Sequence, residues 1–275
     1  MSENKSACEG CKSGCGHSKV AGIQKLEPNS SSRIENIIGI VSGKGGVGKS
    51  FVTSILATAM VKKGYYSAVL DADITGPSIP KAFGIDEMVM GNGKEIYPAI
   101  SNLGIEIMSI NLILEKSTDP VIWRGPIVGN IVGQFFTDVV WNHVDYMFID
   151  MPPGTGDVPL TVFQSIPLSG IIIVTSPQEL VSMIVEKAYN MAKMMNIPII
   201  GLIENMSYFV CPDNGKKYNV FGESHIDRLA EKMGIPVLAK LPIDPKISSL
   251  ADSGCIEQYD ISRLEKAVEA LENLN

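Results

Sequence analysis

The stretch GIVSGKGGVGKS, residues 39–50, combines glycine, lysine and serine at the spacing that binds phosphate groups. The pattern G-x-x-x-x-G-K-S begins at Gly43, after an apolar run and before a helical pattern, which is the context that a P-loop requires. Its glycines leave backbone N–H groups free to surround phosphates, its lysine reaches the outer phosphates and its serine binds Mg²⁺. We therefore expect nucleotide contacts from Gly43, Lys44, Gly45, Gly46, Val47, Gly48, Lys49 and Ser50.

Lys44 is a second lysine in this loop, placed too early to take the role of Lys49. One interpretation is that it points outward, reaches a nucleotide held by a facing subunit and neutralises developing charge, as an arginine finger does. The other is a solvated surface lysine. The spacing favours neither, and Lys44 and Lys49 both stand as catalytic candidates.

Carboxylates follow two apolar runs that are typical of strands. Asp150 comes directly after VDYMFI and is expected to hold Mg²⁺ through water. The stiff loop that follows it offers Pro153 and Gly154 to sense the γ-phosphate by backbone contact. Asp157 either braces this loop or caps a helix.

Asp71 and Asp73 lie at the end of YSAVLDAD. Their spacing places both on one face if the strand continues, and separates their roles if a loop has begun. We assign activation of the attacking water to Asp73, because it lies further into the loop, and nucleotide contact to Asp71. A capping role is a serious alternative for Asp71.

Asn205 follows the apolar run IPIIGLIE. An amide donates to and accepts from an adenine edge simultaneously, and no N-K-x-D pattern that reads guanine occurs. ATP is therefore expected over GTP. A capping asparagine after a strand is the competing interpretation.

The five cysteines are too few for a disulfide framework and indicate metal or redox ligands. Cys8, Cys11 and Cys15 crowd into CEGCKSGC, with His17 as a possible fourth ligand. Cys211 opens FVCPDNGKK, but Asn214 stands where a C-x-x-C pattern would place its second cysteine. Cys255 is expected to be inert.

The order of these segments predicts the fold class. Short apolar runs alternate with longer amphipathic ones, which indicates an α/β protein with a doubly wound, mostly parallel sheet of the P-loop type. A small hairpin is expected around residues 91–93, and RGPIVGNIVGQFFTDVVW is expected to form a helix whose glycines allow close packing or partner contact. Residues 1–34 are expected to be a flexible, cysteine-containing tail, and residues 35–275 one P-loop ATPase domain.

Composition excludes several kinds of partner. A formal charge of −7 and a pI near 5.1 argue against a nucleic-acid surface. No run is long and apolar enough to span a bilayer, and the N-terminus lacks a signal-peptide core. We expect a cytoplasmic protein that binds neither nucleic acid nor membrane.

Five segments in this order, GKGGVGKS, DADITGPSIP, DMPPGTGD, IENMSYFVCP and LPIDPKI, resemble the Mrp/ApbC family of iron–sulfur cluster carrier ATPases. Lys44 matches the additional lysine of the deviant Walker A loop, which the wider Min and Par group shares. The resemblance implies a homodimer that encloses two ATP molecules, with Lys44 of each subunit reaching the other's phosphates and Asp73 assisting the attacking water. It also implies a 4Fe–4S cluster bridging the subunits through a C-x-x-C from each and passed to apo iron–sulfur proteins.

Asn214 departs from that pattern and leaves three hypotheses open. The dimer holds a cluster on two Cys211 thiolates with other ligands, such as Asp213 or a small thiol; the tail cysteines hold it; or the metal has been lost. We carry the first two as the prediction, with zinc as an alternative metal for the tail. The rival functions are a Min/Par-type positioning ATPase and a nucleotide-switched metal-binding scaffold with little turnover.

Overall fold

The computed structural model describes residues 25–73, 78–89, 91, 95–113, 125–178 and 180–274. Within them, nine strands form one sheet in the order β3-β4-β2-β5-β1-β6-β7-β8, and β9 also pairs with β7. The strands pair in parallel except β3 with β4 and β8 with β7. Their bounds are β1 Arg33–Ser42, β2 Ser67–Asp71, β3 Ala99–Ile100, β4 Glu106–Ser109, β5 His143–Asp150, β6 Gly170–Thr175, β7 Ile199–Val210, β8 Lys217–Tyr218 and β9 Val237–Ile243.

Helices cover both faces of the sheet. One core contains side chains of α1, α2 and α8, with α7 packed against it, and the other contains side chains of α3, α4, α5 and α6. The predicted doubly wound architecture is confirmed. The helices are α1 Lys49–Lys62, α2 Ser78–Ala82, α3 Gly125–Asp138, α4 Asp157–Ser165, α5 Leu180–Met194, α6 Ile226–Met233, α7 Pro245–Asp252 and α8 Glu265–Glu272.

The sequence of β1 shows why both faces need cover. Ile38 and Ile40 lie in the core beneath α1, whereas Ile37 and Val41 lie in the core beneath α3 and α5. Successive side chains of a strand point to opposite faces, so a continuously apolar strand is stable only when helices bury both.

The carboxyl ends of the central strands meet at one edge of the sheet. Asp71, the last residue of β2, is in register with Asp150, the last residue of β5. β5 pairs with β1, which ends at Ser42 immediately before the P-loop. Ligands of open α/β sheets bind at this edge.

Two predicted segments lie partly outside the described residues. An isolated antiparallel bridge joins Gly91 to Ile96, while residues 92–94, which include two of the three central residues of the predicted hairpin, are not described. The helix predicted near residue 125 is α3, where a Cβ on Gly129 would lie 2.9 Å from Thr161 of α4. The glycine therefore permits close packing of α3 on α4.

The proposed division after residue 34 stays a prediction, although part of the expected tail contacts the domain. Arg33 and Ile34 already belong to β1. The Lys25 ammonium donates to the carbonyl of Phe163 at 2.7 Å, and the Leu26 N–H donates to that of Ser165 at 2.7 Å. No helix in the described part of the chain has the length and apolar character needed to cross a bilayer.

Candidate functional site

The P-loop joins β1 to α1 and depends on two left-handed glycines. Gly46 has φ 78° and Gly48 has φ 79°, a region that disfavours side chains. A Cβ on Gly48 would clash with the Asn205 amide nitrogen. The cavity above the loop measures about 290 Å³, and its lining includes Ser42, the run from Lys44 to Phe51, Asp73, Ser78 and Pro153.

Asp150 is the centre of the polar contacts beneath the loop. This fully buried carboxylate accepts from Lys49 Nζ at 2.7 Å and from Ser50 Oγ at 2.5 Å. Thr53 Oγ1, one helical turn after Lys49, also donates to it at 2.8 Å. The predicted phosphate lysine and the two predicted Mg²⁺ ligands therefore lie together.

Asp71 and Asp73 have separate environments, because β2 ends at Asp71. Asp71 is buried, and it accepts from Ser109 Oγ at 2.9 Å and from the Asp73 N–H at 3.0 Å. Burial, reinforced by the neighbouring charge of Asp150, raises the pKa of Asp71 well above its usual range, despite the opposing hydrogen bonds and Lys49. Asp73 lies beyond the strand, with Oδ2 3.5 Å from Lys49 Nζ.

The loop after β5 packs beside the P-loop. The Gly154 N–H donates to the carbonyl of Ser42 at 2.8 Å, and Pro153 lines the cavity. Asp157 is the exposed first residue of α4, where a carboxylate interacts favourably with the helix dipole. The segment expected to sense the γ-phosphate thus lies beside the phosphate-binding loop.

Asn205 is buried in β7 and faces the P-loop. Its Nδ2 donates to the carbonyl of Val47 at 2.9 Å, while its Oδ1 is buried without a hydrogen-bond partner among the described residues. The next residue, Met206, has φ 57°, and the register of β7 with β9 shifts between Glu204 and Tyr208. An irregularity in β7 therefore accompanies the placement of this amide.

Lys44 contacts the segment that follows β6. Its Nζ donates to Oε1 of Gln178, three residues beyond the end of β6, and its carbonyl accepts from Ser42 Oγ at 3.1 Å. β6 lies on the opposite side of β1 from β5. The two lysines of the loop therefore occupy different sides of the site.

Cys211 opens the turn between β7 and β8. Its N–H donates to the carbonyl of Lys216 at 3.0 Å, and its own carbonyl accepts from the Gly215 N–H at 2.9 Å. The side-chain oxygen of Asn214 accepts from the Lys216 N–H at 2.9 Å. Asn214 thus uses its best potential metal-binding atom to hold the turn, whereas the Cys211 thiol is half-buried.

The predicted metal ligands of the N-terminal segment are not among the described residues. Cys8, Cys11, Cys15 and His17 lie outside the described residues. Within the described part of the chain, the one group of three or more potential metal ligands comprises Glu35, His143 and Asp145. These residues lie within the first three positions of β1 and β5, at the opposite edge of the sheet from the P-loop.

Three polar residues of the site were missed in the sequence. Thr53 has a recognisable signal, because it lies four residues after Lys49 and so on the same helix face. Ser109 ends β4 and Gln178 follows β6. Their proximity to the site depends on the order of the strands in the sheet, which the sequence does not give. A polar residue after an apolar run was the available signal for both.

Comparison with known proteins shows similarity along nearly the whole chain. Residues 33–274 match the ParA family model described as NUBPL iron-transfer P-loop NTPase. The iron–sulfur cluster carrier protein of Clostridium perfringens is 46% identical over 266 residues, which cover 93% of this chain and 92% of that protein. The iron–sulfur cluster carrier protein of Methanocaldococcus jannaschii is 46% identical over 261 residues, covering 92% and 90%.

Solved structures show the same architecture. A nucleotide-binding protein from Archaeoglobus fulgidus in complex with ADP is 40% identical, has a TM-score of 0.75 and covers 82% of this chain and 89% of its own. The cell division ATPase MinD of Pyrococcus furiosus is 19% identical, with a TM-score of 0.64 and coverage of 87% and 99%. The second likeness concerns the fold alone.

Proposed function

The chain belongs to the ParA-type family of NUBPL iron-transfer P-loop NTPases, and from this premise we propose that it is an ATP-hydrolysing carrier of an iron–sulfur cluster. The observation that carries the nucleotide part is the convergence of Lys49 and Ser50 on the buried Asp150. The carrier part is supported by the relatives named iron–sulfur cluster carrier proteins. Loading as a dimer and delivery to apo-proteins are part of the proposal.

The chain offers separate contacts for each part of ATP. The P-loop N–H groups and Lys49 bind the phosphates, and Ser50 and Asp150 hold Mg²⁺, which neutralises charge that develops on the phosphates. To do so, Lys49 and Ser50 exchange their contacts with Asp150 for contacts with the ligand. The ADP complex of the Archaeoglobus relative supports nucleotide binding by this chain.

Adenine suits Asn205 better than guanine. One Nδ2 hydrogen of Asn205 bonds to the Val47 carbonyl, and the buried Oδ1 is an acceptor without a partner among the described residues. An acceptor pairs with the amino group at position 6 of adenine and repels the oxygen at that position of guanine. Burying an unpaired acceptor is costly, so we propose that the base satisfies this oxygen.

We propose that hydrolysis uses Asp73 of the same subunit and Lys44 of the partner subunit. Asp73 lies at the rim of the cavity within 3.5 Å of Lys49 and orients the attacking water. Lys44 is directed away from Asp150 of its own subunit, towards the end of β6, and serves the phosphates of the partner subunit. Positioning of the reacting groups and electrostatic stabilisation of this kind together supply nearly all of the catalysis in phosphoryl transfer.

The iron–sulfur cluster is the cargo of this carrier. Two subunits offer two Cys211 thiolates, whereas a 4Fe–4S cluster commonly has four cysteine ligands, and the Asn214 oxygen already accepts from Lys216. We propose that the cluster is bound by Cys211 together with ligands from outside the Cys211 turn. Within the chain, the candidates for these ligands are Cys8, Cys11 and Cys15.

Anaerobic reconstitution with iron and sulfide tests the carrier function. Iron per dimer and visible absorption are measured for wild type, Cys211→Ala, a variant with Cys8→Ala and Cys11→Ala, and Cys255→Ala as the control. We expect the first two variants each to lose at least half of the bound iron and the control to lose none. Wild-type protein that binds no iron would remove the carrier function and leave a nucleotide-switched scaffold.

A further inference from the structure

We propose that Gln178 is a positioning residue for Lys44, holding this lysine outward for the partner subunit's nucleotide. The inference rests on the proposed function, in which Lys44 acts across the dimer. It concerns one contact, the hydrogen bond from Lys44 Nζ to Gln178 Oε1. Gln178 makes no contact with nucleotide in this proposal and acts through the lysine.

The strand order explains where this contact directs Lys44. The P-loop follows β1, which lies between β5 and β6. Asp150 ends β5, whereas Gln178 follows β6 on the other side. A lysine held by Gln178 is therefore drawn away from the side on which Lys49 and Asp150 form their ion pair. Lys49 then serves its own subunit while Lys44 remains available to another.

The chemistry of the partner suits a temporary contact. A glutamine oxygen accepts a hydrogen bond from an ammonium group without cancelling its charge. A carboxylate at the same place would form an ion pair and weaken the attraction of Lys44 for phosphate. Because Gln178 is exposed, its bond is readily exchanged for the stronger, charge-assisted bond to a phosphate oxygen.

Pre-orientation is the benefit that this contact gives. A free lysine side chain samples many rotamers, and restricting them before the subunits meet reduces the entropy lost when the lysine reaches phosphate. The gain appears in turnover, because the interaction with the phosphates is made in the paired, reacting state. Nucleotide binding by a single protomer should not depend on it.

The direct test is the reactivity of Lys44 in nucleotide-free protein. Full-length wild type, Gln178→Met and the control Gln134→Met, an exposed glutamine on α3, are labelled with an amine reagent and analysed by peptide mass spectrometry. We expect Lys44 to be labelled about threefold faster in Gln178→Met, the scale of one weak hydrogen bond. Labelling of the exposed Lys63 should be the same in all three proteins. Equal labelling of Lys44 in all three would overturn the contact itself, whatever the function of the protein.

The functional test is a double-mutant cycle on single-turnover ATP hydrolysis with wild type, Gln178→Met, Lys44→Ala and the double variant. We expect Gln178→Met to slow turnover about three- to tenfold with an unchanged Kd for a fluorescent ATP analogue. The double variant should be no slower than Lys44→Ala. An equal further loss in the Lys44→Ala background would show that Gln178 acts independently of the lysine. Wild-type turnover in Lys44→Ala would instead remove the trans-acting lysine from the proposed function, and with it this role for Gln178.

Discussion

Asp71 and Asp150 show how two buried carboxylates in register divide their tasks. Asp150 is balanced by Lys49, Ser50 and Thr53. Asp71 has only hydrogen-bond donors in direct contact among the described residues, and burial beside Asp150 raises its pKa well above the usual range. Ionisation of Asp71 is therefore less favourable in the folded protein than in the unfolded chain.

Replacing this carboxylate should stabilise the nucleotide-free protein. The pKa of Asp71 is higher in the folded than in the unfolded chain, so the folded state binds more protons and stability falls as pH rises from about 4 through the raised pKa. Asp71→Asn removes that loss. Thermal unfolding at pH 5 and pH 8 should show a higher Tm for the variant at pH 8 and a smaller difference at pH 5, with about 2–4 °C for each kcal/mol.

The control for this experiment is Asp252→Asn, since Asp252 is an exposed carboxylate on α7. Its Tm should follow the wild-type curve at both pH values. If the Tm of Asp71→Asn differed from that of wild type by the same amount at pH 5 and pH 8, ionisation of Asp71 would carry no cost in the folded protein.

Asn205 should set the preference for adenine. Asn205→Ala removes the buried acceptor, and one base contact corresponds to about 1–3 kcal/mol of discrimination. We expect the ATP/GTP affinity ratio, measured by competition with a fluorescent nucleotide, to fall about tenfold or more. The exposed Asn219→Ala is the matched control. A similar loss of ATP and GTP affinity would instead assign Asn205 to support of the P-loop through Val47.

At the scale of elements, the features that depend on local sequence patterns can be predicted from the sequence. The glycines and the flanking hydrophobic periodicity predict the P-loop between β1 and α1. The aspartates at the carboxyl ends of β2 and β5 are expected near this loop, because parallel strands end at a common edge of the sheet. The separate roles of Asp71 and Asp73 depended on where β2 ended, a boundary that the pattern left open.

Contacts between elements distant in the chain are harder to predict. Ser109 reaches Asp71 because β4 lies beside β2, and Gln178 reaches Lys44 because β6 lies beside β1. Sequence periodicity identifies strands without fixing their order. Asn214 is different, because Asp213-Asn214-Gly215 is a local turn signal, and its use of the amide oxygen in the turn was available from the sequence.

The contact between α3 and α4 gives a prediction at this scale. A Cβ on Gly129 would lie 2.9 Å from Thr161 Cγ2 and 3.0 Å from Thr161 Cβ, so a larger residue forces the helices apart. Gly129→Val should destabilise the protein by about 1–3 kcal/mol, the usual cost of overpacking. Asn130→Val, an exposed change on the same helix, should cost less than about 1 kcal/mol in urea unfolding. Equal free energies for the two variants would contradict close packing at Gly129.

At the scale of the whole molecule, three features support the proposed pairing of two copies of the chain. Lys44 contacts Gln178 after β6, which lies on the other side of β1 from the strand that ends at Asp150. One Cys211 per subunit is half the number of thiols that a C-x-x-C pair would supply. Large apolar side chains are exposed on and near the cysteine hairpin, namely Val210, Tyr218, Val220 and Phe221, and exposed apolar groups that cluster are typical of interaction surfaces.

Dimer formation should therefore depend on ATP and on Lys44. Asp73→Asn is used to retain ATP, because the proposed water-orienting carboxylate is absent, and mass is measured by light scattering with ATP and Mg²⁺. We expect twice the 29.7 kDa of a single chain with ATP and the single-chain mass without nucleotide. Adding Lys44→Ala should weaken the dimer by about tenfold or more, since a charged contact to phosphate is worth about 1.5–3 kcal/mol. Adding Lys63→Ala, at the far end of α1, should leave it unchanged. A dimer of equal strength with and without ATP would mean that apolar burial alone holds the subunits together, and the nucleotide would then have no part in assembling the site.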